Sequence, residues 1–235
     1  MNQSTPTPPP DWLVTALDAH RQWVAEKYAQ QPGATASGPP GMRATPSQLR
    51  LHDVDLTDVA MPGAILAGAV LTRIGLAGAH LEAVDFSDAR LTEVDLTGVR
   101  ADRATFYDAV LTNCVLARAG LSGADLAAAS LHGCRLAGAD LTGAALTKAQ
   151  LYECDLTEAK LDRARAYRAS IIGGTLAGAR LAGTDLRYAV LSEVDLTGVD
   201  LAGADVTGTT VKPRSDRFAK FAARLRQRGE SGHDR

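Results

Sequence analysis

The stretch LARAGLSGADLAAASLHGCRLAGADL, residues 116–141, places a leucine at every fifth position: Leu116, Leu121, Leu126, Leu131, Leu136 and Leu141. Outward from it the beat keeps its phase, from Leu51, Leu56 and Met61 through Phe86 and Phe106 to Leu201, Val206 and Val211, giving thirty-three centres. Two residues before a centre usually stands a small or β-branched residue, most often Ala, as in Ala124-Asp125-Leu126 and Ala139-Asp140-Leu141. A period of five matches neither the helical 3.6 nor the strand period of 2, so each unit must hold a short extended piece and a turn. On the extended piece, the centre and the residue two before it share a side and point inward together. The other three positions face water. Such a repeat specifies a solenoid, not a globular enzyme core.

Stacked coils place equivalent residues in columns, which gives the coil length. Steps of twenty yield Ala69, Ala89, Ala109, Ala129, Ala149, Ala169 and Ala189, an unbroken Ala column. The column Val54, Ile74, Val94, Cys114, Cys134, Cys154, Gly174 and Val194 holds no Ala. Twenty residues per coil therefore means four five-residue sides, about eight coils and, at roughly 4.8 Å per strand spacing, a rod about 40 Å long.

Leu centres with Ala before them fill the interior and leave no room for a substrate, each buried Leu contributing roughly 1.5–3 kcal/mol. Phe86 and Phe106 should stack in one column. The undersized centres Ala101 and Ala166 are where dents are expected. Cys114, Cys134 and Cys154 lie one coil apart at an inward position that Val or Ile fills elsewhere. That favours buried free thiols over a metal site, which would want four ligands including residues such as His that are missing from the column.

The Ala-Asp-Leu-X-X pattern over about residues 49–211 resembles the pentapeptide-repeat proteins. The resemblance implies an all-β solenoid, a right-handed quadrilateral β-helix of about eight 20-residue coils. Neither a pocket nor a catalytic constellation is visible in the sequence, which points to a binding protein rather than an enzyme. His20-Arg21-Gln22-Trp23 looks like the short His-X-X-Trp helix that precedes the repeats in many bacterial members. The quinolone-resistance members, similar in overall shape, are acidic dimeric rods that imitate duplex DNA and protect type II topoisomerases, which makes DNA gyrase or topoisomerase IV the implied partner. Unlike some of those proteins, this rod has no inserted loops between coils, and it adds the N-terminal helix.

The chain is 46% hydrophobic and 22% charged, with a formal net charge of −2 that hides a division. Residues 49–211 carry 21 acids and 14 bases, and residues 212–235 carry 3 acids and 8 bases. No apolar run is long enough to span a bilayer and no signal peptide is visible, which points to a cytoplasmic protein. Residues 1–10 read as disordered, 11–31 as a helix, 32–48 as a linker, 49–211 as the β-helix, and 212–235 as a C-terminal helix with a basic tail. Trp12, Leu13, Leu17, His20, Val24 and Tyr28 have the spacing of an apolar stripe on the first helix. His20 lacks a nucleophile or carboxylate nearby in sequence, so packing suits it better than base catalysis. Phe218, Phe221 and Leu225 on the second helix are suited to cover the open solenoid end or to form a homodimer.

No phosphate loop, nucleophile elbow, zinc pair or calcium loop occurs, and no cofactor is expected. Two exterior groups remain as candidate partner-binding residues. One is an acidic edge of Asp53, Asp55, Glu93, Asp95, Glu153, Asp155, Glu193 and Asp195, interrupted by Arg73, Asn113 and Arg135. The other is a basic-aromatic patch of Lys148, Arg165, Tyr167, Arg168, Arg187 and Tyr188. Each is also what an ordinary solvated surface with cross-strand charge pairs would show. Two functions compete: a protein-binding, DNA-mimic-like rod acting on a topoisomerase, and a scaffold or secretion accessory working through its terminal helices. Direct nucleic-acid binding suits the acidic rod poorly.

Overall fold

The computed structural model describes residues 7–30, 49–201 and 203–212, with helix side chains described for 11–20 and Gln22. Among the described residues, nine three-residue strands recur every twenty positions, from β1 (Arg50–His52) to β9 (Thr210–Lys212). They form one parallel sheet in sequence order, each residue paired with the one twenty later, as Leu51 with Leu71. The other three sides of each coil are joined by single parallel bridges of the same register, such as Asp55–Gly75, Ala60–His80 and Ile65–Asp85. Four ladders stepping by twenty make the fold a four-sided parallel β-solenoid of about eight coils.

The five-residue unit works because its third outer position turns. The residue two after each centre takes a left-handed conformation, at Gly63, Gly78 and Gly123 but also at Asp88, Glu93, Arg103 and Ala128. At three corners of a coil the centre's carbonyl then accepts the N–H three residues on, as Val59 to Leu56, Ala64 to Met61 and Ala69 to Leu66, each at 3.1 Å. A left-handed third residue is the requirement of a tight type II turn. The corner after each strand carries no such bond among the described residues. The inward column at that corner takes Val, Ile and Cys, whereas the tight corners take mostly Ala.

Every described centre is buried, and so is nearly every residue two before it. The core is one continuous column of Leu, Ala, Val and Cys running the length of the rod. Phe86 and Phe106 stack at 5.2 Å between ring centroids. Phe106 shares its coil with the small centre Ala101. Ala166 has no such neighbour. An apolar void leaving about 20 Å³ to a water-sized sphere lies beside it, bounded by Leu151, Ile171, Leu186 and Thr184. The Thr184 hydroxyl donates to Leu161 O at 2.7 Å and the other lining residues are apolar, so the void lacks the two to four partners that a buried water needs. Gly174, between the centres Ile171 and Leu176, departs from the pattern: its backbone is left-handed one step out of phase.

The N-terminal end is covered. Helix α1 (Asp11–Gln30) starts after Pro10, whose carbonyl accepts Leu13 N–H at 2.8 Å. Leu13, Leu17 and His20 recur at helical spacing and are all buried. Leu13 closes over Leu49, Leu51, Leu56 and Met61 of the first coil. His20 Nε2 donates to Pro62 O at 2.9 Å, so its role is packing against the rod. Trp12 does not belong to the stripe. One residue from Leu13 is about 100° around a helix, and Trp12 is 55% exposed. Thr7 lies inside the stretch read as disordered, yet it is bound to the first coil, its N–H donating to Asp53 O at 2.8 Å and its carbonyl accepting Asp55 N–H. The expected C-terminal helix, with Phe218, Phe221 and Leu225, lies outside the described residues, as do the side chains of Val24 and Tyr28.

Candidate functional site

Among the described residues the interior offers no cleft beyond small apolar voids such as that beside Ala166, so candidate chemistry sits on the walls. Four carboxylates of the acidic edge, Asp55, Asp95, Asp155 and Asp195, occupy the position just before a centre. There Oδ1 accepts the backbone N–H two residues on, at Thr57, Thr97, Thr157 and Thr197, each at 2.9 Å. This Asx-turn explains why Asp recurs at that position: it satisfies a turn amide that the ladder leaves without a partner. The Thr57 hydroxyl and amide bonds hold the Asp55 carboxyl below its usual range. These carboxylates therefore have a structural duty.

The other four stand at the left-handed turn position. Asp53 is bound by Arg73 of the next coil, Nη2 to Oδ2 at 2.8 Å, which lowers the Asp53 pKa and raises that of Arg73. Glu153 lies over Gly173, whose missing Cβ leaves room for it. The edge is thus four separate acidic pairs on one corner, on the first, third, sixth and eighth coils. Gly75, Val115, Arg135 and Thr175 fill the gaps. The structure aligns the eight residues without bringing the pairs into contact.

The basic-aromatic residues come closer together. Tyr167 and Tyr188, on adjacent coils, meet edge to face at 5.8 Å. The guanidinium groups of Arg168 and Arg187 sit 5.1 and 5.7 Å from the Tyr167 ring centre, within cation–π range. Arg187 is held bidentate by Asp185, at 2.9 and 2.8 Å, and reaches Asp205 at 3.6 Å. This pairing lowers the Asp185 pKa and raises that of Arg187. Lys148 and Arg165 are exposed on the same wall.

The cysteine column is buried, each Sγ lying 3.4–3.5 Å from the carbonyl twenty-three residues earlier. The neighbouring thiols of Cys114 and Cys154, together with burial, push the Cys134 thiol up. No group of three or more His, Cys, Asp or Glu among the described residues is placed to hold a metal.

Two features escaped the sequence reading. His132 stacks on Tyr152 at 4.9 Å on the strand wall, and Tyr107 is 49% exposed on the same wall as the basic-aromatic residues. Both lie in outward columns with the same twenty-residue spacing as the core, His132 with Tyr152 and Tyr107 with Tyr167 three coils on.

A family model described as pentapeptide repeats (8 copies) matches residues 50–88, 71–106, 104–143, 134–172 and 176–211. The chain belongs to the pentapeptide-repeat family. No curated protein matches it. Among solved structures, it is similar to HetL, a pentapeptide-repeat protein involved in heterocyst differentiation regulation in the cyanobacterium Nostoc. The identity is 25% over 80% of this chain and 91% of that one, with a TM-score of 0.28. It is also similar to QnrB1, a plasmid-mediated fluoroquinolone resistance protein, at 18% identity over 76% and 96% of the two chains, with a TM-score of 0.46. A thylakoid-lumen pentapeptide-repeat protein of Arabidopsis thaliana is 21% identical over 61% and 74%, with a TM-score of 0.21. No helix among the described residues is long and apolar enough to cross a membrane.

Proposed function

We propose that this pentapeptide-repeat protein is a non-enzymatic, cytoplasmic binding rod whose outer walls engage a protein partner. The observation that carries this reading is the filled interior: every described centre points inward, and the only working surface left is outside. The specific partner is a type II topoisomerase, DNA gyrase or topoisomerase IV. Residues 49–211 hold seven more acids than bases, and a channel that attracts phosphates also attracts a rigid rod with fixed carboxylates. Purified protein is expected to inhibit gyrase supercoiling, or to relieve a quinolone-type poison, in a salt-dependent way. Reversing Glu93 and Glu153 to Lys should weaken the effect. No change in supercoiling or poison sensitivity at about tenfold molar excess would refute a topoisomerase partner.

One observation favours a second reading, docking through the N-terminal helix as a scaffold or accessory protein. Trp12 and Val14 are 55% and 40% exposed on a helix whose other side is fixed to the first coil. Exposed Trp is typical of binding hot spots. Under this reading Trp12→Ala abolishes partner capture and the acidic-edge reversals leave it intact; under the topoisomerase reading the two results exchange.

A further inference from the structure

One wall of the rod separates its charges along its length. It consists of the three outward positions around the centres Leu66, Phe86, Phe106, Leu126, Leu146, Ala166, Leu186 and Val206. Its N-terminal half presents Asp85, Asp88 and Asp108, and its C-terminal half presents Lys148, Arg165 and Arg168, beyond which Arg187 is already paired with Asp185 and Asp205 of the same wall. None of the first six is in an ion pair among the described residues. The wall one corner before it pairs its charges along its length, Arg100 with Glu82 at 3.0 Å, Lys160 with Asp140 at 3.3 Å and Arg180 with Asp162 at 2.9 Å. Between the two charged halves the wall is small, with Ala127, Ala128 and Ala145.

We infer that this wall is self-complementary and that its partner is a second, antiparallel copy of the chain, related by a two-fold axis lying across the rod at the coil of Leu126. Such an axis keeps each column facing itself and reverses the coil order, as an isologous contact requires. Coil for coil, Asp88 then meets Arg168 of the other copy, Asp85 meets Arg165, and Asp108 meets Lys148. The three pairings come twice by symmetry. Large residues meet small ones in the same register: Tyr167 meets Ser87, Tyr107 meets Thr147, and Tyr188 meets Gly68. Ala127 and Ala128 lie on the axis, where small side chains let two backbones approach. Asp125 opposite its own copy is the one like-charge meeting in these columns, and one of its oxygens is already bound by Ala127 N–H at 2.9 Å.

Seven coils by one side of about five residues is roughly 30 by 16 Å, or about 500 Å² per copy. That is below the roughly 800 Å² per partner of a standard stable complex. The association is therefore weak and dominated by charge, and it falls with ionic strength. It does not depend on the partner proposed above.

Sedimentation equilibrium of the full chain tests the inference, at about 50 mM and about 500 mM salt. The expected result is twice the chain mass at low salt and at least about tenfold weaker association at high salt. Asp88→Arg and Arg168→Asp are both tolerated by the turn, because Arg103 and Asp108 already hold the same left-handed conformation. Each variant alone should be monomeric, since it brings like charges together, and an equimolar mixture of the two should recover a one-to-one dimer. A monomeric wild type at low salt overturns the proposal. So does association that survives both variants, which places the contact elsewhere, and so does a mixture that stays monomeric.

Discussion

At the scale of the residue, each position in the five-residue unit has a separate physical duty. The centre fills the rod. Leu141 is 1% exposed, and Leu141→Ala should cost about 2–5 kcal/mol in chemical denaturation, since neighbouring coils cannot collapse into the gap. An unchanged midpoint would place Leu141 outside the core. The third outer position bends the backbone. Ala83 holds φ 56° with a Cβ, a conformation that costs a non-glycine residue about 1–2 kcal/mol. Ala83→Gly should therefore raise stability slightly, by up to about 1 kcal/mol after the greater entropy of the unfolded glycine is subtracted. Gly174 is the opposite case. A Cβ there would stand 2.1 Å from Cys154 O, a backbone atom that cannot swing aside. Gly174→Ala should cost at least about 2 kcal/mol, read as a lowered thermal midpoint.

At the scale of the element, the helix that covers the first coil depends on a neutral imidazole. Burial lowers the His20 pKa below its ordinary 6.5, only partly opposed by the bond to Pro62 O. The unfolded chain thus binds the proton more tightly than the folded one. Stability is full above about pH 6.5 and declines as pH falls through that value towards the lowered folded pKa. Thermal unfolding from pH 8 to 5 should show this decline, and His20→Gln should flatten it; an identical slope in the variant would remove His20 as the cause. The sequence makes much of this level legible and leaves some of it hidden. The phase of Leu51 to Val211 fixes strands, corners and columns because a solenoid's contacts are all local repeats. Thr7 pairing with the first coil and His20 reaching Pro62 depend on how a separate segment folds back, and no periodicity encodes that. The acidic edge was legible as a list of residues. Its turn duty was not, because an Asp that binds Thr57 N–H and an Asp that awaits a partner look alike in a sequence.

At the scale of the whole molecule, function is confined to surfaces by a core that runs unbroken from the first coil to the last. The apolar void beside Ala166 is its one described weakness in the C-terminal half. Ala166→Leu should fill it and stabilise the rod by about 1 kcal/mol if the side chain fits without strain, and destabilise it if neighbouring leucines must move; the sign of the change in denaturation midpoint decides. The five-residue phase holds an inward column through successive coils, and no open lumen runs behind the walls. Titration of the three thiols tests it most directly. Cys114, Cys134 and Cys154 are 0–1% exposed, so a thiol reagent should find none of them in native buffer and all three in denaturant. Rapid reaction of even one in the native protein would mean that the column faces solvent or an open lumen, which a solid four-sided rod does not allow.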